Sequence, residues 1–452
     1  MTAPRLARIR NVDSIFPAQV SLELCHDLVT RQLDDVNVLG EALVAALNVN
    51  DGANAASLRA SLDRFALAMS WSKLLPAIVA YANARAGSTT TSSPRPSSSD
   101  PSRQTTWKPP PCWPRFRRTC TICSVGLDLT DTMAALYTHV QLVEDLDVLD
   151  NDGEPLSGMK IRFEQDLAGP ARLTAMAHAV VDEATLTFEP ADKVPLILCC
   201  PEAEVFAQAP KDWPNQLLAE VFAQAAIPLD RARSRIISRG RAGMTEALGA
   251  ALALLKDSST TFCLVGGVDS YVDADRVAKL VDQGRLLTQS NKDGFKPGEA
   301  GAMLLLTNRP DPDALATWLG AAAGNEEATR DADRPITGAG VQEAMAKALA
   351  LAKLHYESLD CLAYDFSGEQ RYFEELLLAS SRLAKGPVTG TVELPAFSVG
   401  ETGAAAGFLS IAMLAFLHSK GVHKRPSLAA LTCDGPERGA VVLGPLAGQG
   451  RS

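Results

Sequence analysis

Five short apolar runs, VPLILCC, TFCLVGGV, GAMLLL, CLAYDF and GAVVLGPL, leave this chain few folds to choose from. Each is nearly continuous in apolar residues rather than alternating, and glycine or proline bounds most of them. That pattern predicts strands buried on both faces. Between them lie stretches with apolar residues at three- and four-residue steps: LTAMAHAVVDEA, MTEALGAALALL, GVQEAMAKALALAKL, FEELLLASSRLA and GFLSIAMLAFLH. The expected fold class is α/β, a sheet covered by helices on both sides, beginning after Thr119. At 452 residues the chain is too long for one ordinary domain, and fits a large α/β unit plus an extension.

That extension is read as residues 1–86, helical by periodicity in LELCHDLVTRQL, VLGEALVAAL and SLRASLDRFALAMSWSKLLPAIVAYANA, with Pro76 starting or kinking the last segment. Residues 87–118 change abruptly to Ser, Thr and Pro, with six basic residues against one acid. Too little apolar surface is available there to order the segment, so it is read as a flexible linker. PPPCWP also has the character of a polyproline ligand, and text of this composition arises when GC-rich coding sequence is read out of frame.

A net charge of −10 argues against nucleic acid or an anionic membrane as partner. No apolar run reaches ~18 residues, so no transmembrane helix is predicted. The arginines near the start are not followed by an apolar segment, which argues against a signal peptide. Nine cysteines, several in apolar runs, fit reduced buried thiols of a cytoplasmic protein. Cys120 and Cys123 have CxxC spacing without a second pair, and the six histidines form no ligand pair, so neither metal nor cofactor is expected. The acidic run around Asn151-Asp152-Gly153 fails as a calcium loop, because its first and twelfth ligand positions fall on Val148 and Met159. A hairpin turn accounts for it.

Three separated stretches, in order, resemble the β-ketoacyl synthase branch of the thiolase-like fold. They are GMTEALGAALALLKDSSTTFCLVGGVDSY, GRLLTQSNKDGFKPGEAGAMLLL and FSVGETGAAAGFLSIAMLAFLH. The middle stretch is similar to that family's Arg…Asp-Gly-Phe…Gly-Glu segment, and the last one resembles its Gly-His-Thr-x-x-Ala-x-Gly turn and helix. The resemblance implies duplicated α/β halves, 119–310 and 311–452, in a five-layer αβαβα core, and a homodimer. It also implies a nucleophilic cysteine at a helix N-terminus, where the macrodipole favours thiolate, and two histidines that polarise a thioester carbonyl.

Those residues are replaced here. The cysteine position falls on Arg241, and the nearest cysteines in sequence are Cys200 and Cys263. The first histidine position falls on Tyr364 or Asp365, the second on Glu401, and the family's lysine on or near Ala396. The glycine-rich loop that supplies oxyanion amides becomes Cys433-Asp434-Gly435-Pro436-Glu437-Arg438-Gly439, where Pro436 removes one N–H. No catalytic residue is therefore assigned. If the family's geometry holds, Arg241 faces Glu401 and Asp365 in an ionic plug. Otherwise Arg241 lies on an exposed loop and Glu401 caps its helix.

Asp269 and Ser270 read as turn residues, Asp293-Gly294-Phe295 as packing and turn geometry, and Cys199-Cys200 as a strand end lacking a nearby base. Ser367 and Ser398 have no evident histidine partner. Two functions follow. The first is a pseudoenzyme, a protein-binding accessory or scaffold similar to thiolase-like proteins of bacterial type VI secretion clusters. The other is an acyltransferase or 3-oxoacyl-synthase-like enzyme that binds acyl-CoA or acyl carrier protein, with Glu401 or Asp365 as base.

Overall fold

In the computed structural model, residues 114–137, 140–365, 368–386 and 390–446 are described. The chain divides into two compact units, residues 1–111 with 136–140, and residues 112–135 with 141–452. The first falls almost wholly outside the described residues, as do the expected helical extension 1–86 and most of the linker 87–118. The second carries the predicted sheet.

Composition alone ends the linker at Arg118, yet the first strand, β1, spans Arg115–Cys123. Phe116 supplies the reason. It is fully buried and stacks on Trp318 with ring centroids 5.6 Å apart, so the strand is anchored before its apolar half begins. The neighbouring arginines, linker-like by residue type, are also engaged. Arg117 pairs with Asp311, and its guanidinium lies 5.5 Å from the centre of the Phe188 ring.

The remaining strands are β2 (Glu144–Leu149), β3 (Pro155–Gly158), β4 (Leu196–Cys200), β5 (Arg235–Ser238), β6 (Phe262–Ser270) and β7 (Glu299–Thr307), then β8 (Ala316–Asn325), β9 (Cys361–Tyr364), β10 (Thr391–Glu393), β11 (Ser427–Leu431) and β12 (Glu437–Gly444). β2 and β3 form the hairpin expected at Asn151-Asp152-Gly153. The other ten make one sheet in the order β10-β9-β11-β12-β8-β1-β7-β6-β4-β5. Read outward from the centre, both sides repeat one design. β1-β7-β6 and β8-β12-β11 are antiparallel neighbours, and then β6-β4-β5 and β11-β9-β10 run parallel. The halves are stitched at Arg115↔Thr317 and Phe116↔Ala316, and they exchange along the chain in residues 308–315.

Helices complete five layers. α1 (Gly169–Thr185) and α2 (Trp213–Gln224) cover the outer face of the first half, and α5 (Ala339–Ala352) and α6 (Gln370–Leu383) that of the second. Between the halves lie α3 (Gly243–Lys256), on β4 and β6, and α7 (Ala406–Ser419), which touches strands of both. The helix α4 (Ala274–Asp282) follows β6. Of α7, every residue from Ala406 to His418 is buried, which is why its sequence is apolar all round instead of along one stripe.

His418 lies in the last turn of that helix with its Nδ1 3.1 Å from the His423 carbonyl. Burial, with His423 beside it, lowers its pKa to about 4. The unfolded chain takes up the proton near the ordinary value of ~6.5, so stability present above that pH is lost as the pH falls towards the folded value, by roughly 3 kcal/mol. Urea unfolding between pH 7 and pH 4 should show this slope, and His418→Gln should flatten it.

One close approach demands glycine. A Cβ on Gly298 would lie 2.0 Å from the Val399 carbonyl oxygen, where β7 is entered beside the turn before α7. Gly249, inside α3, has nothing within 4 Å of the same point. Gly298→Ala should therefore destabilise by about 1–3 kcal/mol or more through overpacking. Gly249→Ala should stabilise by about 0.5–1 kcal/mol through helix propensity. Paired unfolding midpoints test both.

Candidate functional site

The chain leaves β5, turns through Gly240–Ala242 and enters α3, and Arg241 stands in that turn. Its side chain is 8% exposed and reaches across the middle layer into the second half. There Nη1 donates to Glu401 Oε2 at 2.6 Å. Nη2 lies 3.1 Å from Asp365 Oδ1 and donates to the Asp365 carbonyl at 2.9 Å and to Thr432 Oγ1 at 2.8 Å. Nε donates to the Thr432 carbonyl at 3.0 Å. Asp365 immediately follows β9 and Thr432 immediately follows β11, while Glu401 lies in the turn before α7. Two parallel strand ends and the starts of both central helices thus converge on one guanidinium.

The carboxylates are held from the other side as well. Thr432 donates its N–H to both Asp365 oxygens, at 3.0 and 3.1 Å, and its hydroxyl to Oδ1 at 2.9 Å. Glu401 Oε1 accepts the Gly403 N–H at 2.7 Å. Glu401 therefore caps the turn and pairs with Arg241 at once. The exposed-loop reading of Arg241 is overturned, because its planar fork is used on four acceptor groups in a site closed to water. Burial alone would lower the Arg241 pKa, but Glu401 and then Asp365 outweigh it and hold the guanidinium well above its ordinary value. Burial lifts Asp365 above the usual carboxylate range against the pull of Arg241 and Thr432.

Tyr364 and Asp365 are equivalent candidates in the sequence; the strand separates them. Successive side chains of β9 point to opposite faces, and the Tyr364 hydroxyl lies 2.9 Å from Ser380 Oγ on α6 while Asp365 meets Arg241. Asp269 and Ser270 are another correction. They are strand residues of β6, buried at 0% and 2%, and not a turn. Asp269 pairs with Arg276 at 2.5 Å and accepts the Ala404 N–H at 2.8 Å, and Ser270 donates to Glu299 at 2.8 Å. The Asp293 N–H donates to Asn291 Oδ1 at 3.2 Å within the expected turn, while its carboxylate accepts the Gln370 N–H at 2.6 Å at the start of α6, and Phe295 is core.

Further buried pairs surround the site without having been anticipated. Glu299 binds Arg172, and Arg285 bridges Glu369 at 2.6 Å and Asp434 at 2.7 Å. Arg438 grips Glu375 through Nε at 2.9 Å and Nη2 at 3.0 Å. The Asp434 carboxylate also accepts the Tyr372 hydroxyl, whose ring centre lies 5.7 Å from the Arg241 guanidinium. Thr432 and Tyr372 carry no sequence signal, since neither belongs to a motif that spacing can pick out. The signal for the arginines was available: an arginine inside an otherwise buried apolar segment requires a carboxylate.

Cys199 and Cys200 close β4 and are buried. Burial pushes the Cys200 thiol up to about 12 and Cys199 well above its ordinary value, so neither is poised as a thiolate. Ser398 is buried at 3%, and Ser367, Cys25 and Cys112 lie outside the described residues. Among the described residues no group of three or more His, Cys, Asp or Glu could hold a metal ion, and no helix is long and apolar enough to cross a membrane.

No protein-family model matches the sequence, and no curated protein does. Solved structures do. The chain is similar to the ishigamide ketosynthase/chain length factor, with a TM-score of 0.60 at 14% identity over 74% of this chain and 99% of that one. The fold is that of a ketosynthase. A type II polyketide synthase ketosynthase, solved with its acyl-carrier protein and bound to the hexaketide, gives 0.61 at 12% identity over 75% and 100% of the two chains. The ketosynthase ApeO in complex with its chain length factor ApeC, from Xenorhabdus doucetiae, gives 0.59 at 13% over 75% and 100%. In this ketosynthase fold the duplicated halves are those already described, and the Arg241 cluster lies in the seam between them.

Proposed function

We propose that this chain is a non-condensing member of the ketosynthase-like group, a cytoplasmic protein-binding accessory or scaffold that no longer performs acyl transfer. One observation carries the reading: Arg241, at the position the resemblance assigns to the nucleophile, has its guanidinium bonded to Glu401, Asp365 and Thr432. A guanidinium stays protonated at every physiological pH and has no lone pair for attack. Glu401 and Asp365, the bases of the competing acyltransferase reading, are both bonded to it, which opposes proton abstraction from a substrate.

The partner is a second copy or a related ketosynthase-type subunit. Complexes of the latter kind occur among the structural relatives, one pairing a ketosynthase with its chain length factor. Strand β5 ends the ten-stranded sheet, and a terminal strand offers unpaired backbone groups to another chain. The bacterial secretion association rests on the sequence resemblance.

Incubation with acyl-CoA and acyl carrier protein, followed by intact-mass measurement, should leave the protein unmodified and the thioester unconsumed. A stable acyl adduct, or turnover abolished in Glu401→Ala, overturns the reading. Sedimentation should give a dimer, either of this chain alone or with an added ketosynthase-type subunit; a monomer in both cases removes the scaffold through this edge.

A further inference from the structure

We propose that the pocket walled by Met159, Leu287, Lys296 and Phe397 binds a small amphipathic carboxylate. The pocket has a volume of about 270 Å³ and is completed by Gln141, Lys292, Gly294, Gly368 and Ala396. It is separate from the Arg241 cluster, none of whose members lines it, and it does not depend on whether the chain condenses acyl groups.

The walls are of two kinds. Met159 is buried, while Leu287 and Phe397 are 38% and 51% exposed, two large apolar side chains open to water at one place. Such surface is covered favourably by an apolar body. The charges are of one sign. Lys292 donates to the Thr288 carbonyl at 3.2 Å, and among the described residues neither it nor Lys296 stands in an ion pair. The adjacent acid, Asp293, is occupied with the Gln370 N–H at 2.6 Å. Lys296 is half-buried, and that burial lowers its pKa with no carboxylate to offset it. An anionic head group beside Lys296 would supply the missing countercharge.

Size and shape narrow the class. A pocket just below the ~300–1,000 Å³ typical of drug-sized ligands admits a short aliphatic or aromatic body. Inorganic phosphate would leave the apolar walls bare, and a neutral alcohol would leave both ammonium groups uncompensated. The main chain behind the pocket is tied to the central seam, since the Lys296 carbonyl accepts the Glu401 N–H at 2.9 Å.

Calorimetry on the full chain at pH 7 with octanoate, 1-octanol, acetate and inorganic phosphate tests the assignment. Octanoate should bind at least roughly tenfold more tightly than each of the other three. Lys296→Met should fold as the parent does, because it removes an unpaired half-buried charge, and should lose at least about tenfold in octanoate affinity while gaining for octanol. In mass-mapped acylation at pH 8, Lys296 should label faster than Lys292, and octanoate should slow both. Equal binding of octanoate and octanol, phosphate binding as tightly as octanoate, or an unchanged affinity in Lys296→Met would each overturn the proposal.

Discussion

Arg241→Met is expected to lose about 3–5 kcal/mol of folding stability, the cost of stranding buried charge. The asymmetry within the cluster sharpens this expectation. One guanidinium faces two carboxylates whose side chains are 3% and 0% exposed, so the group carries a net charge of −1. Removing Arg241 takes the guanidinium from two buried carboxylates, of which Asp365 keeps its bonds from Thr432 and Glu401 that from the Gly403 N–H. Glu401→Gln removes one anion instead and leaves a matched Arg241–Asp365 pair. It should cost only about 1–2 kcal/mol, the range of a hydrogen bond to a charged group.

The pH dependence of the variant should change with it. With Arg241 gone, the Asp365 pKa, already raised by burial, loses the pull that offsets that burial and rises further, so the deficit should be smallest near pH 5 and grow as the pH rises towards 8. Chemical unfolding of the two single variants and the double variant gives the coupling directly. A loss under about 1 kcal/mol in Arg241→Met would mean that the cluster is hydrated and not a sealed ion pair.

Arg438→Met should be comparably severe, about 3–5 kcal/mol, for a related reason in a drier place. Arg438 and Glu375 have side chains that are both 0% exposed. The fork is bidentate, and Nη1 additionally serves the carbonyls of Cys433, Gly435 and Glu437 at 2.7 to 2.9 Å. Loss of the side chain therefore leaves the buried Glu375 carboxylate with only the more distant Arg371, at 3.6 Å, and under-satisfied carbonyls at Cys433, Gly435 and Glu437. Arg438→Lys should rescue little, because a single ammonium cannot span both Glu375 oxygens and the loop carbonyls. Arg438→Met/Glu375→Leu together should recover much of the loss if the stranded carboxylate dominates; an equal loss in the double variant would instead assign the cost to the loop carbonyls.

Which parts of this were legible in the sequence follows from the range of the interactions involved. Runs such as PLILCC and GAMLLL read as buried strands because each must be covered on both faces, whatever covers it. The turn at Asn151-Asp152-Gly153 is local and reads as a hairpin. Asp269 and Ser270 were misread because polar residues after glycines resemble a turn; only the partners Arg276, Ala404 and Glu299 make a buried strand position tolerable to them. Likewise Arg115–Arg118 resemble linker until Trp318, some two hundred residues away in sequence, is seen against Phe116.

By itself the sequence determined where strands and helices form and that the chain has the character of a two-sided α/β protein. These depend on periodicity, turn chemistry and residue type, all encoded within a few neighbours. The tertiary structure alone decided that Arg241 is paired and buried, that Asp365 and not Tyr364 meets it, and that Thr432 completes the group. Those choices depend on strand parity, on the crossing of α3 and α7 between the halves, and on distances across 124 to 191 residues of chain. A charge's partner is set by the fold's geometry, and no local pattern carries that information.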